Sequence, residues 1–382
     1  MPVPGLRPPI LVDTQPRLDD LASALRREPA VAVDTESNSL HAYPERVCLI
    51  QVSTDRDDFL IDPFALDNLQ PLAPLFDDPR IEKVFHAAEY DLACLHRDFG
   101  FGLCNLFDTR VACRTLAYPH TGLGDVLAHH FDVRIDKRHQ RADWGRRPLP
   151  PDLLDYARLD SHYLLQLRRI LGEELERAGR SAEAHEECEW TIHQALAAPP
   201  PDEGFWRIGR ARRLPPERAA ILRELYLWRE AEARRLNRPP FKVLSDDTLL
   251  SLAQDSPHDR AALEEVSGLP ERPRQRYGAA LLEAIARGRN APRPERPVSR
   301  PVDESSLARY QRLRQWRKTL AEARQVESDV ILPRDVLWDI AREAPSDAEA
   351  LARLMPSLPW RLDRYGQAIL EILTRSPNGN HR

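Results

Sequence analysis

The stretch Val31-Ala32-Val33-Asp34-Thr35-Glu36 restricts what this chain can become more than any other. Three small apolar residues read as a short buried strand. Side chains alternate across a strand, so Asp34 and Glu36 face the same side. Two carboxylates side by side repel each other and lose hydration, which is unfavourable unless positive charge sits between them. A divalent cation is the usual solution. An isolated Asp-x-Glu is more often a solvated strand end, so the weight of the motif depends on further acids at usable spacing.

The surroundings read as an α/β unit. Residues 10–12, 47–52, 58–62, 83–86 and 103–107 have the short apolar runs of further strands. Helices are expected over 18–25 behind a Thr14 cap, over 66–76, over 87–97 with Gly100 and Gly102 ending it, over 108–116 and over 122–131. A single long helix is expected over 152–175, preceded by Pro148, Pro150 and Pro151, and one more over 181–197. Strands first, then strands alternating with helices, predict an α/β domain over 1–198 with a mixed sheet, closed by Ala198-Pro199-Pro200-Pro201-Asp202.

Everything beyond reads as helix and repeats itself. Trp228-Arg229 returns as Trp316-Arg317, and Arg276-Tyr277-Gly278 returns as Arg364-Tyr365-Gly366, both 88 residues later. Val243-Leu244, Asp247, Pro257 and Leu282-Glu283 keep the same register with Ile331-Leu332, Asp335, Pro345 and Leu370-Glu371. Two copies of a small helical bundle are expected, over 205–290 and 305–375. The second copy looks less regular, since Lys318 to Val326 bears little likeness to the stretch from Glu230 onward. Residues 287–306 read as a Gly/Pro-rich linker and 376–382 as a disordered tail.

Charge and cysteines narrow the function. The net charge is −5, yet 205–290 holds 17 Arg or Lys against 12 Asp or Glu. An acidic first part suits cations and a basic second part suits polyanions. The five cysteines lack any C-x-x-C spacing, which argues against a disulfide framework and against structural zinc; most should be small core residues. No apolar run approaches a membrane span, and Met1-Pro2-Val3-Pro4-Gly5 lacks the regions of a signal peptide, so a cytoplasmic location is expected.

Further acids do follow. Asp91 lies on the helix expected after His86, and Tyr156 and Asp160 are four apart on one helix face. If Asp34, Glu36, Asp91 and Asp160 converge, they would hold two divalent ions about 3.5–4 Å apart. Oxygen-only ligands suit Mg²⁺ or Mn²⁺ rather than zinc. A phenol beside them can orient the attacking water, which makes the set a phosphodiester-hydrolysing constellation.

Asp34-Thr35-Glu36, then His86-x-x-x-Tyr90-Asp91, then Tyr156-x-x-x-Asp160 resemble the three motifs of the DEDD exonucleases, in the subgroup with tyrosine in the third motif (DEDDy). The stretch from Arg141 to Leu149 and the two helical repeats are similar to ribonuclease D, whose chains carry tandem HRDC domains. The resemblance implies a ribonuclease H-like exonuclease domain with a mixed sheet, followed by two all-α HRDC bundles. It implies two-metal-ion hydrolysis of RNA from the 3′ end, releasing 5′-mononucleotides, with tRNA precursors carrying 3′ extensions as substrates. A monomer without membrane association is expected. By position, Asp34, Glu36 and Asp160 should ligate the nucleophile-activating ion, Asp34 should bridge to the second ion, Asp91 should act on that second ion, and Tyr156 should position the water. A DNA-directed 3′–5′ exonuclease and a non-catalytic RNA-binding protein on the same fold are the alternatives.

One departure concerns the residue after the acidic triplet. Many ribonuclease D sequences have Phe there and this chain has Ser37, with Leu40, His41 or Tyr43 as substitutes for the lost apolar contact. His86 reads as a packing residue rather than a ligand. Asp143 and Trp144 should fix the loop before the long helix. Lys137, Arg138 and Arg141 form a basic run that is either solvated or phosphate-facing. Trp228 and Trp316, at equivalent repeat positions, should be core. Arg207, Arg210, Arg212 and Arg213, near Phe205 and Trp206, are the candidates for RNA contact.

Overall fold

The computed structural model describes residues 6–197, 201–296 and 303–374. In the first part, β1 (Ile10–Val12), α1 (Gln15–Leu25), β2 (Ala30–Ser37), β3 (Val47–Ser53), β4 (Asp58–Ile61), α2 (Ala73–Asp77), β5 (Glu82–Phe85), α3 (Glu89–Phe99), β6 (Leu106–Asp108), α4 (Thr109–Thr115), α5 (Leu123–Phe131), α6 (Pro151–His162), α7 (Leu164–Ala178) and α8 (Ser181–Leu196) follow one another. The six strands form one sheet in the order β1-β4-β3-β2-β5-β6. β3 runs antiparallel to both β2 and β4, while β2–β5, β5–β6 and β1–β4 are parallel, so the sheet is mixed.

Both faces of the sheet are covered, which is why β3 is buried from end to end and its Val-Cys-Leu-Ile run shows no polar alternation. Val31 and Val33 join the core under α1, α3 and α8. Ala32 faces the other way, into the core beneath α4, α5 and α7. Cys48, Leu49 and Leu60 pack on that second side against Trp144, Leu153 and Tyr156. The parity that buries Ala32 therefore sends Asp34 and Glu36 toward α6, and Thr35 toward α3.

Two helices differ from expectation. The long helix over 152–175 is two helices, broken at Tyr163. Side chains at the end of α6 bind the sheet instead of continuing the helix face: Ser161 Oγ lies 2.8 Å from Ser53 Oγ, and His162 Nδ1 lies 2.9 Å from Asp58. The helix over 66–76 shrinks to a 3₁₀ turn at Gln70–Leu72 and α2, each opening on a proline, Pro71 and Pro74. Gly100 does end α3, at φ 71° with its N–H bonded to His96.

The two repeats are α9 (Pro216–Leu236), α10 (Pro240–Val243), α11 (Asp246–Asp255), α12 (Arg260–Glu264) and α13 (Glu271–Asn290), then α14 (Glu304–Arg324), α15 (Ser328–Ile331), α16 (Arg334–Glu343), α17 (Ala348–Leu354) and α18 (Pro359–Thr374). Each has its own core, around Leu222, Leu249 and Leu281 in the first and around Leu313, Leu337 and Ile369 in the second. The second copy is as regular as the first, since α14 and α9 both run for 21 residues. Residues 287–290 and 304–306 are helix, not linker. Gly288 is there because α13 crosses α9 so closely that a Cβ would stand 2.5 Å from the Ile221 Cα. Of the rest of the expected linker, 297–302 lie outside the described residues, as do 198–200 of the Pro-rich boundary and the tail from 375.

The second repeat docks on α8. Arg361, fully buried, pairs with Glu186 at 2.8 Å and with Glu187, and donates to the carbonyl of Ile331. Arg324 pairs with buried Glu183 at 2.5 Å. Trp190 of α8 packs against the core of that repeat.

Candidate active site

The acids converge at the end of β2. One carboxylate oxygen from each of Asp34, Glu36 and Asp160 lies within 4.8 Å of the others. β2 supplies the first two by strand alternation, and α6 supplies Asp160 by lying across β2, β3 and β4. Asp91, in the first turn of α3, stands beside this group rather than in it. It accepts the hydroxyl hydrogen of Thr35, and its charge raises the pKa of Asp34, Glu36 and Asp160 alike.

Electrostatically, burial and mutual repulsion dominate the site. Burial, then repulsion by the other acids, holds Asp34 and Glu36 well above the carboxylate range. Burial first, then Asp91, pushes Asp160 up to about 7. Burial likewise pushes Asp91 up to about 7, against the lowering effect of its bond from Thr35. Gln51 adds a second unmet demand. It sits directly across the β2–β3 ladder from Asp34, fully buried, and neither end of its amide has a hydrogen-bond partner. Grouped acids beside an unmet amide fit a hydrated divalent ion, which supplies charge to the first and polar contact to the second.

Tyr156 lies one helical turn before Asp160 and is buried. Burial first, then the charges of Asp160, Glu36 and Asp34, raise its phenol, so it stays protonated and able to donate. Its ring is backed by Trp144 at 6.2 Å and His139 at 5.4 Å. Trp144 is held in turn by its loop. Asp143 accepts the N–H of Gly145, and Arg147 grips both oxygens of Asp62 at 2.6 and 2.7 Å while donating to the carbonyl of Cys48. Asp143 and Trp144 thus fix this loop, as expected.

His86 stands outside the carboxylate group: its Nδ1 lies 2.9 Å from Thr109 Oγ1, and burial lowers its pKa. Ser37 Oγ donates to Glu45 at 3.0 Å and sits 3.1 Å from the Tyr90 hydroxyl. Of its suggested substitutes, His41 is tied to the Arg141 carbonyl and Tyr43 turns to α9, leaving Leu40 exposed. In the basic run, Arg138 folds back on Asp136, and the Lys137 side chain lies outside the described residues. Arg207, Arg210, Arg212 and Arg213 are exposed, but Phe205 and Trp206 beside them are core residues of the first repeat and offer no stacking face. Trp228 and Trp316 pack against the two repeat cores.

Sequence reasoning missed Asp108. It was legible as a helix opener, and it does accept the N–H groups of Arg110 and Val111 at the start of α4. It also accepts those of Ala87 and Ala88 at 3.0 and 2.8 Å, bracing the turn that leads into α3. Ala87 is held there at φ 63°, and the turn fixes where Asp91 begins.

A mixed sheet with carboxylates gathered at one strand end, a phenol beside them and two helical bundles following in the chain is the architecture of a 3′–5′ exonuclease. Residues 9–176 match the 3′–5′ exonuclease family, and residues 218–285 and 306–373 each match the HRDC domain. The ribonuclease D of Gluconacetobacter diazotrophicus is 34% identical over 75% of this chain and 74% of its own length. That of Granulibacter bethesdensis is 32% identical over 95% of this chain and 92% of its own. The fold matches the crystal structure of Escherichia coli RNase D, an exoribonuclease involved in structured RNA processing, with a TM-score of 0.76 at 24% identity, over 97% of this chain and 100% of that one. The chain belongs to the ribonuclease D family, and it is a 3′–5′ exoribonuclease, a hydrolase of RNA phosphodiester bonds. Among the described residues no helix is long and apolar enough to cross a membrane.

Proposed function

We propose that Asp34, Glu36 and Asp160 hold one divalent cation and that Asp34 and Asp91 hold a second, with Mg²⁺ or Mn²⁺ as the physiological ion. The observation that carries this is the 4.8 Å grouping of three carboxylate oxygens contributed by β2 and α6. When bound, such ions supply a water that ionises near neutral pH and positive charge for the phosphate and the leaving oxygen.

The chain's own residues do the rest. Tyr156, protonated and backed by Trp144, orients the attacking water by a hydrogen bond. Thr35 fixes Asp91, and Asp108 fixes the turn that carries it. Protonation of the leaving 3′ oxygen by solvent completes release of a 5′-mononucleotide. The substrates are tRNA precursors with 3′ extensions, the enzyme acts as a monomer in the cytoplasm, and its units are 1–198, 205–290 and 305–375.

Digestion of a tRNA transcript bearing a short 3′ extension tests this reading. Stepwise loss of 5′-mononucleotides from the 3′ end in Mg²⁺ or Mn²⁺, abolished in Asp34→Asn, is expected. Equal trimming of an unrelated structured RNA would remove the tRNA assignment, and activity retained in EDTA would remove the metals.

A further inference from the structure

The two repeats correspond at the corner where their first long helix ends. α9 and α14 both stop at a left-handed residue, Asn237 at φ 48° and Gln325 at φ 56°. Three residues later each begins a four-residue helix, α10 or α15. The residues on that corner, however, differ in kind.

In the second repeat the corner reads Val326-Glu327-Ser328-Asp329-Val330, and it is occupied. Glu327 and Asp329 hold Arg114 of α4 at 2.8 and 2.6 Å. Arg324, at the end of α14, holds Glu183 of α8. In the first repeat the same five positions read Arg238-Pro239-Pro240-Phe241-Lys242, so Pro239 and Phe241 stand where the second repeat has its two acids, and Arg238 and Lys242 stand where it has valines. Phe241 is 53% exposed, and Arg234, Arg235, Arg238 and Lys242 are exposed near it.

This corner adjoins the catalytic domain. Asn237 Oδ1 accepts the N–H of Tyr43 at 3.1 Å, and the Arg234 guanidinium lies 5.8 Å from the Tyr43 ring centroid. Tyr43 sits in the segment that leaves β2 just after Glu36. A cleft of about 510 Å³ opens in the catalytic domain between that segment and the loop at 143–146, with Arg46 and Arg146 in its lining and Asn237 contributed by the repeat.

An exposed ring among cations suits a ligand with both negative charge and flat faces. We propose that Arg238, Phe241 and Lys242 contact single-stranded RNA upstream of the 3′ end being cut, with phosphates on the two cations and a base stacked on the ring. The equivalent corner of the second repeat, occupied by the catalytic domain, makes no such contact. The proposal deepens the exoribonuclease reading and rests on it.

The test compares a trinucleotide with an unstructured RNA of about 12 nucleotides, long enough to cover a typical single-strand site. The ratio of kcat/KM on the long RNA to that on the short one should fall about tenfold in Phe241→Ala, the loss expected for one stacked base. It should fall as well in Arg238→Glu/Lys242→Glu. Binding of the long RNA in EDTA should lose about 0.7 in the slope of log affinity against log salt for each phosphate contact removed. Arg238→Lys/Lys242→Arg should restore that slope. An unchanged ratio with an unchanged salt slope overturns the contact. Failure of the unaltered enzyme to cut either RNA strikes the nuclease reading instead, and the binding measurement in EDTA still decides the corner.

Discussion

Thr35, on strand β2, donates its hydroxyl hydrogen to Asp91, a residue 56 positions away on helix α3. The middle residue of the acidic triplet is therefore not a spacer. Strand alternation sends Asp34 and Glu36 to one face and Thr35 to the other, and the bond from Thr35 brings the fourth acid to the strand end from behind.

Thr35→Val keeps the shape and removes that bond. The bond lowers the pKa of Asp91, which burial has already pushed up to about 7. Without it, Asp91 is less firmly placed at the strand end. We predict roughly tenfold lower kcat/KM at pH 7 in saturating Mg²⁺, the loss of one hydrogen bond to a charged group. An unchanged kcat/KM would contradict this.

The acids should also make metal-free protein less stable as pH rises. A group with a raised folded pKa contributes stability that is complete below its unfolded pKa, about 4 for these carboxyls, and lost as pH climbs through the folded value. Asp91 and Asp160 put the upper end of that window near 7. In EDTA, Asp34→Asn should therefore unfold at nearly the wild-type temperature at pH 4 and increasingly above it toward pH 8. Saturating Mg²⁺ should reverse the order at pH 8. A thermal difference that is flat with pH in EDTA would refute the account.

Gln51 separates stability from activity. Both ends of its buried amide lack partners, and leaving such a group unmet costs about 1–3 kcal/mol. Gln51→Leu should then be neutral or stabilising by about 1 kcal/mol in denaturant unfolding without metal, yet lower kcat. Loss of stability with unaltered kcat would place the amide outside the site.

The docking of the second repeat depends on Arg361. Arg361→Ala leaves Glu186 buried and unpaired, a change that costs about 3–5 kcal/mol when one member of a buried pair is removed. Limited proteolysis should release the second repeat from the catalytic domain much faster than in wild type. Arg361→Ala paired with Glu186→Gln should recover part of the loss, and additive losses would argue against the pairing.

The strand-end acids, the spacing of Tyr156 and Asp160, the mixed sheet and the repeat register were legible because each is carried by a local period or by self-similarity. What stayed hidden depends on contacts between distant segments. Gly288 sits in Gly/Pro-rich sequence and reads as linker, and only the closeness of α9 explains it. Phe205 and Trp206 look like stacking residues until the first repeat closes over them. The break at Tyr163 follows from Ser161 and His162 binding the sheet, and within the apparently irregular stretch from Lys318 to Val326, Arg324 stands where the first repeat has Leu236 because it docks on α8. Asp108 carries an ordinary helix-cap signal that gives no hint of its second pair of N–H donors.

Anomalous diffraction from crystals soaked in Mn²⁺ tests the metal cage most directly. The account predicts one peak enclosed by Asp34, Glu36 and Asp160 and a second between Asp34 and Asp91, both absent in Asp34→Asn. Peaks only at other surfaces, in crystals of enzyme that cuts RNA in Mn²⁺, would contradict it.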